Sequence, residues 1–181
     1  VKEAIHKLEQ EGLVAIPPNG GAVVVELSPQ DIEIIYTVRS MLEGLAARIA
    51  AQRLTAEELR MLGDILDEAT LYASKRRMCQ VAERNRRFHR LIYLGSKSVP
   101  LSKMISTVTE QLDGLRVSSL EVPGRVHKAE EEHYAILQAL EARDGEAAER
   151  LIREHIYMTG YKLIRLPEGE LSARAGASGE E

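Results

Sequence analysis

The chain has 181 residues, with 24 Lys and Arg against 28 Asp and Glu and 44% apolar residues, a balance that suits one ordinary globular domain plus a smaller appendage. No apolar run approaches the roughly 18–20 residues of a membrane helix, and the charged start VKEAIHKLEQ lacks a signal peptide's apolar stretch, so a cytoplasmic protein with no membrane partner is expected. A formal charge of −4 confines any DNA contact to a local surface. Cys79 is the one cysteine; it excludes an internal disulfide framework and reads as a small hydrophobe. With six Tyr, one Phe and no Trp, the chain is poor in aromatics, and abundant Ala, Leu, Glu and Arg favour helices. The first residue already reads as helix interior, so truncation at the N-terminus is expected.

In residues 2–13, Ala4, Ile5, Leu8 and Leu13 share a helical face and Gly12 is a natural stop. Two β-prone runs, 14–16 and 22–27, then flank Pro17-Pro18-Asn19-Gly20-Gly21, which predicts a hairpin with a tight tip. Ser28, Pro29 and Asp31 supply a helix N-cap, a first-turn proline and an acid, placing a domain boundary near Ser28. Ile32, Ile35, Val38, Leu42, Leu45 and Ile49 recur at helical spacing and carry a first long helix to about Ala51. The capping box Thr55-x-x-Glu58 opens a second helix, to about Ala73. A third spans Met78 to Leu94 with Val81, Phe88, Leu91 and Ile92 inward, and a fourth runs from Pro100 through Leu115. The fifth follows Pro123-Gly124, and Asp144 caps a sixth that ends near Ile164. Six amphipathic helices on short connections predict an all-α antiparallel bundle over residues 28–165. Residues 166–181 lack periodicity and read as a disordered tail.

Five histidines are present, and three of them, His89, His133 and His155, fall on separate core helices. Asn85 precedes His89 by four residues and so shares its side of the helix. Three imidazoles and an amide oxygen converging in a bundle suit a divalent metal, zinc first, with nickel, iron or manganese as alternatives. A single core histidine is ordinarily satisfied by a local hydrogen bond; the pattern across three helices is what argues for a ligand set. His6 and His127 read as surface residues.

VKEAIHKLEQEGLV followed by PPNGGAVV resembles the end of the recognition helix and the wing of a GntR-type winged helix-turn-helix. Leu27-Ser28-x-x-Asp31-Ile32, Tyr36-x-x-Arg39-x-x-Leu42-Glu43, Asn85-x-x-Phe88-His89, Glu132-His133-x-x-Ile136-Leu137 and Asp144 through His155 are similar to the signatures of the FadR-type ligand-sensing domain, the FCD domain. Six helices suggest its VanR-like branch. The resemblance implies that residues 1–27 are the C-terminal part of a DNA-binding domain and residues 28–165 a sensing and dimerisation domain. It maps the metal positions onto Asn85, His89, His133 and His155. DNA contacts fall to Lys2 and to the wing tip at Asn19, Gly20 and Gly21, although residues 1–26 alone form a poor electrostatic footprint.

The expected function is a homodimeric, metabolite-responsive transcriptional regulator, in which a small carboxylate bound beside the metal shifts two DNA-reading heads on an operator. Arg39 is a candidate anchor for that carboxylate, with an intrahelical pair to Glu43 as its alternative role. Arg116 is a second candidate, with a solvated surface charge as its alternative. A three-histidine metal hydrolase is disfavoured because no HExxH spacing or paired carboxylate supplies a general base. A helical dimerisation module with structural histidines is the remaining reading.

Overall fold

The computed structural model describes residues 2–10, 14–17, 20–24, 28–110, 112 and 125–165. Gly12, Leu13, Pro18, Asn19, Leu115, Arg116, the Pro123-Gly124 helix start and the tail 166–181 lie outside them. The opening segment forms helix α1 (Lys2–Gln10), packed on a short antiparallel pair, β1 (Val14–Ala15) and β2 (Val23–Val24). Among the described residues Val14 faces Val24 and Ala15 faces Val23, while Ile16 and Ala22, next toward the turn, lie outside the ladder. Gly20 N–H donates to the Pro17 carbonyl at 3.2 Å inside this turn.

The bundle follows as α2 (Pro29–Arg53), α3 (Ala56–Ser74), α4 (Met78–Gly95), α5 (Val99–Glu110), α6 (Arg125–Glu141) and α7 (Gly145–Ile164). Three of these helices begin where the sequence places a capping side chain. Ser28 Oγ accepts from Asp31 N–H and Asp31 returns the bond to Ser28 N–H, each at 3.1 Å. Thr55 and Glu58 repeat this arrangement on α3 at 3.2 and 2.9 Å, and Asp144 Oδ1 accepts from Ala147 N–H at 2.9 Å. Each cap satisfies donors that the first helical turn leaves without a partner.

Helix α2 is the axis of the bundle. It packs on α7 along its length and also touches α4, α5 and α6, while α3 closes the far side against α4 and α6. The face it turns inward is built from Ile32, Tyr36, Arg39, Glu43, Ala46, Ala47 and Ala50, with Ile35, Leu42 and Ile49 half-buried beside it. Val38 and Leu45 are exposed. Small residues let α7 approach closely: a Cβ at Gly160 would lie 2.5 Å from Tyr36 Cγ, and one at Gly44 would lie 2.5 Å from Arg153 Cγ. Elsewhere the expected inward residues are buried, including Leu62, Leu66, Val81, Phe88, Ile92, Ile136 and Leu140. Met158 on α7 and Cys79 on α4 are exposed. No described helix is long and apolar enough to cross a membrane.

Candidate metal centre

His89 on α4, His133 on α6 and His155 on α7 are all buried, and one ring nitrogen from each lies within 4.8 Å of the others. Their ring centroids are 4.5 to 5.3 Å apart. Three helices that pack around α2 thus bring together side chains separated by 66 positions at the extremes of the chain order, 89 to 155. Phe88 walls the cluster, with its ring 4.8 Å from that of His133.

Two carboxylates orient these rings. His89 Nδ1 lies 2.8 Å from Glu43 Oε2, and His155 Nδ1 lies 2.7 Å from Glu132 Oε2. A carboxylate at Nδ1 favours the Nδ1–H tautomer, which leaves the Nε2 lone pair available to the cluster and makes it more basic. His155 Nε2 is 3.2 Å from His133 Nε2. Two nitrogens bound to one ion at about 2.1 Å would stand about 3.0–3.4 Å apart for right-angled to tetrahedral geometry, so this separation suits a shared cation. The donor set therefore fits a first-row divalent ion.

Glu43 is held in turn by Arg39, whose Nε donates to Oε1 at 2.6 Å, with both side chains buried. Burial alone pushes the Glu43 carboxyl up, but the adjacent Arg39 and His89 outweigh it and hold the group well below the usual carboxylate range. An Arg39–Glu43–His89 relay results, so the i+4 pair left open by the sequence is present, and it runs on into the histidine cluster. Asn85 is half-buried and lines a small cavity together with His133 and with Val81, Ala129 and Leu66. Lys2, Gly20 and Gly21 are exposed on the opening segment; Asn19 and Arg116 fall outside the described residues.

The sequence places Glu43 beside Arg39 and Glu132 in a family signature, but assigns neither carboxylate to a histidine. Glu132 adjoins His133, yet it serves His155, a pairing that only the crossing of α6 and α7 creates. Among the described residues a cleft of about 730 Å³ opens beside His89 and Glu43, lined by Arg86, Arg87 and Arg90 and by Glu83 and Glu110. The run Arg84-Asn85-Arg86-Arg87-Phe88-His89-Arg90 was the available signal for the arginines of this mixed-charge cleft. Its volume lies within the range of small-molecule pockets.

The described chain is thus a helical bundle with a buried histidine cluster, preceded by a helix and a short hairpin. Residues 33–157 match the FCD domain model, and the chain belongs to that family, as a GntR-type transcriptional regulator. It is 26% identical over 156 residues to the HTH-type transcriptional repressor RspR of Escherichia coli, spanning 86% of this chain and 68% of that protein. It is 30% identical over 159 residues to the "Probable D-xylose utilization operon transcriptional repressor" of Paenarthrobacter nicotinovorans, again 86% and 68% of the two chains. The solved structure of E. coli McbR/YncC superposes with a TM-score of 0.82 at 25% identity, covering 90% of this chain and 82% of that one. These relatives are transcriptional regulators rather than enzymes, which removes the hydrolase reading.

Proposed function

We propose that this chain is the sensing part of a homodimeric regulator, in which Asn85, His89, His133 and His155 hold a divalent metal, zinc first, and a small carboxylate binds beside it. The observation that carries the reading is the convergence of one ring nitrogen each from His89, His133 and His155 within 4.8 Å, with carboxylates on Nδ1 of His89 and His155. Charge supports an anionic effector. Counting Arg39, Glu43, Glu132 and neutral imidazoles, a dication leaves the buried group with one net positive charge, which a monoanion neutralises. The cleft beside His89 adds no net sign of its own, since Glu43, Glu83 and Glu110 line it together with Arg86, Arg87 and Arg90. Arg39 contributes by fixing Glu43. The metal would supply a fixed positive charge for the effector's carboxylate. Effector binding acts on DNA only if the two arrangements of the DNA-reading heads differ in affinity for it, with Lys2, Gly20, Gly21 and Asn19 on the DNA-facing segment.

The test is calorimetric titration of zinc into chelator-stripped protein, followed by a panel of small mono-, di- and tricarboxylates with and without zinc. One zinc per chain, lost in His133→Ala, together with a carboxylate that binds only in the presence of zinc, is the expected result. Carboxylate binding without any metal uptake would remove the metal from the reading. Neither binding would leave a helical dimerisation module with structural histidines.

A further inference from the structure

The outward face of α2 carries a second, unused pattern. Asp31, Ile34, Val38, Met41, Leu45 and Arg48 are all exposed and follow one another at alternating steps of three and four residues. This is the seam of a coiled coil, repeating every seven residues on average. Ile34, Val38, Met41 and Leu45 are 62%, 41%, 53% and 45% exposed, on a helix whose opposite face is already buried against α4 and α7. A surface helix normally presents polar residues at these positions. Beside the seam, Tyr157 and Tyr161 of α7 stand exposed with their rings stacked at 6.5 Å, sharing grooves with Met41 and Glu33. Together these six apolar and aromatic side chains expose on the order of 500 Å², a large share of the about 800 Å² per partner that a standard interface buries.

We propose that this seam is the homodimer interface, with α2 pairing antiparallel to α2 of a second copy about a two-fold axis between Val38 and Met41. The proposal deepens the homodimer reading above and rests on it, but is independent of the metal. The charges at the two ends argue for a second copy as the occupant. Asp31 and Arg48 bracket the apolar stretch at equal distances from its centre, so an antiparallel two-fold sets each Asp31 opposite the partner subunit's Arg48. The same operation sets Ile34 opposite the partner subunit's Leu45, and Val38 opposite the partner subunit's Met41. A parallel pairing would place Asp31 against Asp31 and Arg48 against Arg48, like charges that repel. Among the described residues Arg48 is paired at 3.4 Å with Glu149 and at 3.9 Å with Glu146, long contacts on exposed side chains that leave room for it to turn outward. The interface is self-complementary in shape and charge, as a two-fold contact requires.

Sedimentation equilibrium of the full chain tests this with Ile34→Lys and Leu45→Glu, two exposed positions whose substitution leaves the core and the helix cap untouched. Each variant buries an unpaired charge twice per dimer, and each should weaken self-association by about 100-fold or more. Circular dichroism melts should stay close to those of the unsubstituted chain at concentrations where both are monomeric, and zinc uptake should persist. Mixed in equal amounts, the two variants should recover a heterodimer, because the introduced lysine of one chain then faces the introduced glutamate of the other and the second contact is Ile34 on Leu45. An unsubstituted chain that is monomeric at tens of micromolar overturns both the dimer and the seam. An unsubstituted dimer that both variants leave intact overturns the seam alone. Failure of the mixture to associate more tightly than either variant overturns the antiparallel register.

Discussion

Replacing Glu43 by Gln tests the relay that orients the histidine cluster. The carboxylate is buried, with Arg39 Nε at 2.6 Å and His89 Nδ1 at 2.8 Å. Glutamine preserves the volume and one acceptor but leaves the buried Arg39 guanidinium without its counter-charge. Removing one member of a buried pair costs about 3–5 kcal/mol, and the retained amide acceptor places this case at the lower end, about 3 kcal/mol. With a urea m-value of about 3 kcal/mol/M for a domain of this size, the midpoint should fall by about 1 M. Denaturation of chelator-treated protein at one fixed concentration measures the change with the metal removed and the dimerisation contribution held constant. Arg39→Met should cost a similar amount, and the double variant Arg39→Met/Glu43→Gln should cost at least about 2 kcal/mol less than the sum, because it no longer strands a charge. A loss below about 0.5 kcal/mol for Glu43→Gln, or strict additivity in the cycle, would refute the claim that the pair is a coupled buried unit. In metal-loaded protein the same substitution should weaken zinc binding about 10–100-fold, the usual effect of losing a carboxylate behind a ligating histidine.

Asn85→Asp should raise zinc affinity and weaken the zinc-dependent part of carboxylate binding, since the added charge partly neutralises the ion; zinc affinity equal to that of the unsubstituted chain would remove Asn85 from the ligand set. Gly160→Ala should destabilise by about 2 kcal/mol, because its Cβ would meet the Tyr36 ring and separate α7 from α2; an unchanged denaturation midpoint would contradict that close approach. Glu58 at the start of α3 is held below its ordinary pKa by its bond to Lys97 and then by the Thr55 backbone N–H. A depressed folded value means the stabilisation is full at neutral pH and is lost as pH falls through that value. Glu58→Gln should therefore cost about 1 kcal/mol at neutral pH, a gap that closes on acidification, as urea melts across the acid range would register.

How much of this molecule is legible without its fold varies from helix to helix. Capping chemistry is local, so Ser28 with Asp31, Thr55 with Glu58, and Asp144 mark the starts of α2, α3 and α7 by residue type alone. The burial of His89, His133 and His155 is also legible, because each sits in an apolar helical stripe whose period is a property of the chain. The left-handed backbone that follows three helix ends is not, although the ends of α3 and α4 fall within a residue of the expected Ala73 and Leu94. Arg76, Lys97 and Arg143 adopt left-handed backbone angles, with φ of 56°, 55° and 60°, where glycine is the usual signal. Tertiary packing imposes that geometry, as at Arg143, whose guanidinium reaches the carbonyls of Ala51 and Leu54 at the end of α2.

The facing of α2 emerges only in three dimensions. Its periodicity marks Val38 and Leu45 as readily as Ile32, since the helix is apolar on two sides. The choice falls to the alanines and Gly44 because α7 comes too close for larger side chains. That rotation places Glu43 against His89 and leaves Ile34, Val38, Met41 and Leu45 outside. The pairing of Glu132 with His155 likewise depends on the crossing of α6 and α7. Residue order alone settles which segments are helical and which imidazoles are buried, because both follow from neighbours within a turn or two. The carboxylates that orient those imidazoles, and the apolar face left for a partner, come from how the helices rotate against one another, which depends on side-chain volumes on several helices at once.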